Sequence, residues 1–141
     1  MDTKKIENIF LSNFKKENYV IIPVFEKNEF LILIKRHNDI IVVNNFNEKN
    51  LLKSLSLNDK NENIYHIQYK DITSYSVEFK NYKDDFFKSK LVINIILNDI
   101  NKLSFFIDTP QRLNLNNLIT ENINDFISIG INSFCFTNEI F

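Results

Sequence analysis

The sequence predicts a mainly β domain with α-helices, and three observations support this class. The chain contains 14 phenylalanines, a single glycine and no alanine, a composition that favours pleated surfaces over helices. Runs of β-branched and aromatic residues fill the middle of the chain and are separated by short polar loops. Towards each end, the apolar residues recur at helical spacing instead. We therefore expect about seven antiparallel strands in two sheets, with an N-terminal helix and a C-terminal amphipathic helix.

An N-terminal helix is predicted over residues 1–16, with either Asp2 or Thr3 as its cap. Its apolar face consists of Ile6, Ile9, Phe10 and Phe14. Antiparallel strands are expected over residues 19–108, in the runs 19–25, 30–35, 40–46, 64–70, 72–80, 91–97 and 103–108. The first three runs are joined by hairpin-sized polar loops and form a meander, whereas the other four form a second group. Pro23 places the first run at a sheet edge or at a bulge.

A second helix is predicted over residues 110–129. Thr109 is a suitable N-cap, Pro110 is a suitable first helical residue, and Gly130 lies where a C-terminal cap belongs. The apolar stripe comprises Leu115, Leu118, Ile119, Ile123, Phe126 and Ile127. Residues 131–141 form an apolar tail that is expected to be a further strand or a docking segment. Residues 48–57 could form a short helix, and we expect residues 1–141 to be a single domain.

Composition excludes several classes of function. With Gly130 alone, the chain cannot contain a phosphate-binding loop, a dinucleotide fingerprint or a nucleophile elbow. The net charge of −1 and the interleaved signs give no field that would attract nucleic acid or a membrane surface. One cysteine, Cys135, precludes an intrachain disulfide and favours a reducing compartment, so we expect a cytoplasmic protein. Because Cys135 lies between Phe134 and Phe136, we expect its thiol to be buried.

Chemistry-bearing side chains are sparse. No metal or cofactor is expected, because His37, His66 and Cys135 are isolated from one another in the sequence. One enzymatic pattern stands as an alternative: Asp71, Glu78 and Lys80 have the spacing of a magnesium-dependent nuclease site. In such a site two carboxylates hold the metal ion and the lysine lies beside the scissile phosphate. Charged residues also alternate on ordinary exposed strands, so the spacing alone is weak evidence.

The order of elements resembles the pleckstrin-homology (PH) superfold. Residues 30–36, which run into residues 39–43, resemble the second and third strands of bacterial PH-like domains. Residues 67–74 resemble the step into their second sheet. Over residues 19–130, the resemblance implies two near-orthogonal sheets closed into a barrel by the last helix, and binding of proteins, peptides or phosphoinositides. Lipid-binding members use basic residues in the first loop, where this chain has one lysine between two acids at residues 26–29, so lipid binding is not implied here.

The best candidate contact surface is the segment from residue 79 to residue 90, where aromatic residues alternate with lysines. The candidate partner-binding residues are Lys80, Tyr82, Lys83, Phe86, Phe87 and Lys88. Aromatic anchors in a polar frame suit contacts with protein or with single-stranded nucleic acid. Asp84 and Asp85 offset the lysines and disfavour a nucleic-acid backbone as the partner. The alternative is that Phe86 and Phe87 pack back into the core.

These observations favour a small, non-catalytic domain that binds another protein. Because the chain is small and lacks catalytic motifs, inhibition of a larger host enzyme is the role we expect. Two alternatives remain open: the nuclease built on Asp71, Glu78 and Lys80, and a structural protein that self-assembles through residues 131–141.

Overall fold

The computed structural model describes residues 2–50, 63–111 and 113–140. Two α-helices and seven strands lie in these ranges, which confirms the predicted class. The helices are α1 (Thr3–Ile9) and α2 (Leu113–Ile140). The strands are β1 (Tyr19–Pro23), β2 (Phe30–Lys35), β3 (Asp39–Phe46), β4 (Ile64–Gln68), β5 (Ile72–Asn81), β6 (Lys88–Leu97) and β7 (Asn101–Pro110).

The strands form two antiparallel sheets, each in chain order. The first sheet has the order β1-β2-β3-β4 and the second has the order β5-β6-β7. The expected division into three and then four strands was wrong, because Ile64–Gln68 pairs with β3. A short 3-10 turn at Tyr69–Asp71 then redirects the chain into the second sheet. Over the described residues no strand pair joins the sheets, so they do not close into a barrel.

The main core lies between the two sheets and α2. Each sheet contributes alternate side chains from its inner face, as the period of a strand requires. The largest contributors that are fully buried are Leu31, Leu33, Ile40, Ile67, Leu91 and Ile93. Helix α2 adds Ile123, Phe126 and Ile127. A hydrogen bond between the hydroxyls of Tyr75 and Ser128 also links β5 to this helix.

A second apolar cluster covers the opposite face of the first sheet. Ile6, Phe10 and Leu11 of the N-terminal segment pack there against residues of β2, β3 and β4. The first sheet is consequently buried on both faces, and five consecutive residues of β2 from Phe30 to Ile34 are buried. The inner face of the second sheet is buried, whereas its outer face is mostly exposed, although Val92 of β6 is buried there.

Helix α1 is shorter than the predicted range of residues 1–16. The carboxylate of Asp2 accepts the Lys5 N–H at 2.8 Å and caps the helix as expected. The helix ends at Ile9, and the following turn brings Leu11 onto the same sheet face as Ile6. Ser12 and Asn13 have side chains that compete for backbone hydrogen bonds, which favours a turn at this point.

Helix α2 extends well beyond the predicted end at residue 129. It spans 28 residues, or about 42 Å, and includes most of the segment expected to be a strand or tail. Gly130 is a residue of the helix with no positive φ, so it is not a cap. The helix continues because Ile131 and Phe134 prolong its apolar stripe onto the main core.

Thr109 and Pro110 are strand residues, so the predicted cap of the second helix was wrong. Thr109 pairs with Ser89 of β6, and its hydroxyl donates to the Ser89 carbonyl at 3.3 Å. Both prolines lie on edge strands, where a missing N–H is tolerated. The prediction that Pro23 lies at a sheet edge or at a bulge is confirmed, since β1 is an edge strand. Of the ambiguous segment 48–57, residues Glu48–Asn50 form a 3-10 turn and residues 51–57 lie outside the described residues.

No helix in the described ranges has the length and apolar character needed to cross a bilayer.

Replacing Leu11 by alanine should lower the free energy of unfolding by about 2–5 kcal/mol, because Leu11 is 1% exposed. Ile9→Ala is the matched control, since Ile9 is 45% exposed, and it should cost less than about 1 kcal/mol. Urea unfolding measures both values. Equal costs for the two variants would show that the N-terminal segment does not cover the first sheet as described.

Replacing Gly130 by alanine should destabilise the protein by about 1–3 kcal/mol, although alanine favours helices by about 1 kcal/mol over glycine. A β-carbon at this position would lie 2.5 Å from Oη and 2.9 Å from Cζ of Tyr69, which is itself 3% exposed. Asn132→Ala, at an exposed position of α2, should be neutral or stabilising. Thermal melts that show Gly130→Ala to be as stable as the natural chain would contradict the close approach.

Candidate protein-contact surface

The loop between β5 and β6, residues 82–87, presents two adjacent aromatic rings to solvent. Phe86 is 82% exposed and Phe87 is 80% exposed. The alternative that these rings pack into the core was therefore wrong. Single exposed apolar residues are common on protein surfaces, but two neighbouring phenylalanines with this exposure are a candidate contact surface.

The backbone at Phe87 is fixed from both sides. Its N–H donates to the Asp85 carboxylate at 2.9 Å, and its carbonyl accepts the N–H of Gln111 at 2.8 Å. Gln111 directly follows β7, so the tip of the loop is attached to the neighbouring strand end. The rings therefore project from a backbone that two hydrogen bonds hold in place.

The start of the loop is held by Tyr82. Its hydroxyl donates to the Asp108 carboxylate, and this hydrogen bond is the main reason that the pKa of Tyr82 is raised to about 12, with smaller contributions from burial and nearby carboxylates. Lys88 Nζ lies 3.8 Å from the other oxygen of Asp108 and 4.8 Å from the centre of the Tyr82 ring. These contacts join the two ends of the loop to β7.

A buried polar network lies beneath the loop and centres on Ser89, which is completely buried. The Ser89 hydroxyl donates to the Asn81 side chain at 3.2 Å and accepts from Asn116 of α2 at 3.4 Å. Since buried polar groups are costly when they are not hydrogen-bonded, the network fixes how β5, β6 and α2 meet at this corner.

Two surface hollows flank the exposed rings. The hollow beside Phe86 measures about 390 Å³ and is lined by Asn81, Tyr82, Asp85, Phe86, Lys88 and Gln111. The hollow beside Phe87 measures about 480 Å³ and is lined by Phe25, Glu26, Lys27, Asp85, Phe87, Lys88 and Asp108. The exposed rings therefore stand between two hollows at this end of the second sheet.

The remaining predicted contact residues lie around this surface. Lys80 is at the end of β5, with its Nζ 3.6 Å from the Glu78 carboxylate, and Lys83 is exposed in the loop. Sequence reasoning missed Phe106, which is 58% exposed on the outer face of β7 beneath Lys90, at 4.1 Å from Nζ to ring centre. Side chains of a strand point to alternate faces, and Phe106 lies on the same face as the polar residues Lys102 and Ser104. This alternation in the sequence could have identified Phe106 as exposed.

The charges of the surface are mixed. Lys80 is paired with Glu78, and Lys88 is paired with Asp108. Lys83 and Asp84, both exposed, add one charge of each sign. A phosphate backbone needs a continuous basic stripe, and this arrangement does not supply one.

The nuclease pattern is only partly assembled. Glu78 and Lys80 form an exposed ion pair on β5, but Asp71 precedes the strand at its other end. Six residues of extended chain lie between Asp71 and Glu78 and place them roughly 20 Å apart, which is too far for a shared metal ion. Among the described residues, no group of three or more histidine, cysteine or acidic side chains is placed to hold a metal ion.

The other candidate ligands lie apart. His37 is exposed in the β2–β3 turn, and His66 lies on β4 beside the ion pair that Arg36 makes with the buried Asp39 at 2.7 Å. The thiol of Cys135 is exposed on α2, so the prediction of a buried thiol was wrong. Phe134, not Cys135, is on the helix face that meets the core.

Comparison of the chain with protein-family models, curated proteins and solved structures finds no match. The function of the surface is therefore inferred from its own geometry.

The Tyr82–Asp108 hydrogen bond should make stability depend on alkaline pH. The pKa of Tyr82 is about 12 in the folded protein and 10.0 for a free tyrosine, so the folded protein holds this proton more tightly. The stabilisation is therefore complete below pH 10 and is lost as the pH rises from about 10 to about 12. Tyr82→Phe should be less stable by about 1 kcal/mol below pH 10, and this difference should fall as the pH rises from about 10 towards about 12.

Urea unfolding of both proteins between pH 9 and about 12 measures this difference. Other groups that lose a proton in this pH range are the same in the two proteins, so their effects cancel in the difference between the two free energies of unfolding. A constant difference across the range would show that Tyr82 does not donate to Asp108.

Proposed function

We propose that this chain is a non-catalytic protein-binding domain and that Phe86 and Phe87 are the anchors of its contact surface. The observation that carries the proposal is the exposure of these rings, 82% and 80%, on a backbone that is fixed by hydrogen bonds. Aromatic anchors that fill pockets of a partner dominate the energetics of many interfaces.

The rings supply a useful but limited binding energy. Two phenylalanines at about 80% exposure offer roughly 320 Å² of apolar area, worth about 8 kcal/mol when buried. Association costs about 4–15 kcal/mol in lost freedom. The rings alone therefore give weak binding, and the two flanking hollows must contribute further contacts.

A fixed loop lowers the cost of binding. A flexible loop loses conformational entropy when it docks, at about 0.5–1.5 kcal/mol for each immobilised side chain, and additional backbone entropy. The backbone of Phe87 is already held by Asp85 and Gln111, so the ordering cost falls mainly on the rings.

The mixed charges favour a protein as the partner. Binding to nucleic acid releases counterions and weakens steeply with salt, whereas burial of aromatic rings responds little to salt. Capture of the partner should therefore survive an increase of the salt concentration from about 50 to about 300 mM.

The PH-like architecture and the inhibitory role belong to the same proposal. The succession of a four-stranded sheet, a three-stranded sheet and a C-terminal helix supports an open version of the PH arrangement. A cytoplasmic enzyme that loses activity when the domain binds would identify the domain as an inhibitor.

The double variant Phe86→Ser/Phe87→Ser should keep its melting temperature within about 2 °C, since exposed rings contribute little to folding. Its affinity for the partner should fall at least about 100-fold, since anchor truncations commonly cost 2 kcal/mol or more each. The matched control is Ile100→Ser, because Ile100 is 83% exposed at the opposite end of the second sheet.

Partner capture from lysate of the source cells, compared by quantitative mass spectrometry for the natural chain and both variants, provides the test. A protein captured by the natural chain and by Ile100→Ser, but not by the double variant, is the expected result. Equal capture by all three would place the contact surface elsewhere.

A further inference from the structure

One edge of the second sheet has a stretch of backbone with no partner among the described residues. The carbonyl of Asp108 in β7 accepts the N–H of Phe25 at 2.7 Å, and Phe25 belongs to the β1–β2 loop. This carbonyl therefore points away from β6. Since successive residues of a strand point to alternate sides, the backbone groups of Lys102, Ser104 and Phe106 face the same free edge.

Strand β7 carries Lys102 and, at its end, Pro110, but it is ten residues long and has no bulge, so most of its edge is regular. Its register with β6 is uninterrupted from Asn101 to Pro110. The edge strand β1 is five residues long and contains Pro23, and β5 has an irregularity between Ile72 and Ser74. A long, regular and exposed edge strand is a template for pairing with another strand.

We propose that two copies of this chain associate by antiparallel pairing of their β7 edges, about a two-fold axis at Ser104. The β1–β2 loop occupies the edge at Asp108, which limits the free stretch to Lys102–Phe106, and Ser104 is its middle residue. Pairing about this residue places Ser104 opposite Ser104 and Lys102 opposite Phe106 of the second copy. About six backbone hydrogen bonds result, two for each facing pair.

The side chains of the free stretch complement those of a second copy. In this register each Lys102 lies across from Phe106 of the second copy, and the two Lys102 residues do not face each other. Lys90 of the same chain already contacts the Phe106 ring at 4.1 Å, so Lys102 would approach this ring from the free edge. Ser104 is small enough for two strands to approach at the axis. Its hydroxyl donates to Asn94 of its own sheet at 2.7 Å, which keeps the side chain out of the edge.

This association uses a surface other than the Phe86–Phe87 loop, so it does not rest on the proposed protein-binding function. It also differs from assembly through residues 131–141, which the sequence suggested. Within that segment, Ile131 and Phe134 pack on the core of the same chain.

The test is sedimentation equilibrium of the purified full chain over about 5 μM to about 1 mM. The natural chain and Ser104→Ala should both approach twice the monomer mass, because Ser104→Ala keeps the backbone N–H. Ser104→Pro removes the N–H at the free edge and should weaken association at least about tenfold. The natural chain remaining monomeric throughout, or folded Ser104→Pro associating as strongly as the natural chain, would overturn the proposal.

A charge exchange tests the register without a proline. Phe106→Lys places a lysine opposite Lys102 of the second copy and should weaken association at least about tenfold. Adding Lys102→Glu to that variant places opposite charges across the axis and should restore association. Failure of the second change to restore it, with both variants folded by circular dichroism, would overturn the pairing about Ser104.

Discussion

The conformation of the β5–β6 loop depends on two hydrogen bonds at the backbone of Phe87. The Asp85 carboxylate accepts the N–H of Phe87, and the carbonyl of Phe87 accepts the N–H of Gln111. Each bond contributes only about 1 kcal/mol, but together they hold the backbone of a short loop at this residue. The backbone position from which the Phe87 ring projects is therefore set by polar contacts with other residues.

The burial of the first sheet determines which parts of the molecule remain available for partners. The N-terminal segment covers one face of that sheet, and the second sheet with α2 covers the other. Four of the large exposed apolar residues are consequently on the second sheet and its loops: Phe86, Phe87, Ile100 and Phe106. The other three, Ile9, Leu118 and Ile129, are on the helices. Contacts with other molecules are expected mainly at the second sheet.

Local patterns predicted the strands well because period-two alternation survives in a sheet with one exposed face, as in β5. The grouping of strands was not predictable from them, because a strand such as β4 carries no local mark of the sheet it joins. The end of α2 was misplaced because Gly130 was interpreted as a cap, whereas it allows the close approach of Tyr69, a residue 61 positions away in the sequence. Pro110 was predicted to be the first residue of the second helix, but it lies at the end of β7. Proline is compatible with both positions, so its presence did not distinguish them.

The alternation of aromatic residues and lysines singled out the β5–β6 loop, where the structure exposes Phe86 and Phe87. The contacts within the loop could not be predicted from the sequence, because they join residues that are distant along the chain. Tyr82 was expected to contact a partner, but its hydroxyl holds the loop through Asp108, and Lys88 lies over the same ring. Asp85 was considered only for its charge, yet its carboxylate fixes the Phe87 backbone. Such roles require the strand register of β6 and β7, which composition and spacing do not reveal.

Amide hydrogen exchange of the free protein, resolved by NMR at Phe87 and Gln111, tests most directly whether the loop is fixed before a partner binds. Hydrogen-bonded amides exchange only when the structure opens locally, so both should exchange at least about tenfold more slowly than in an unfolded chain. Exchange of both amides at the unfolded rate would show a mobile loop and would contradict a preformed contact surface.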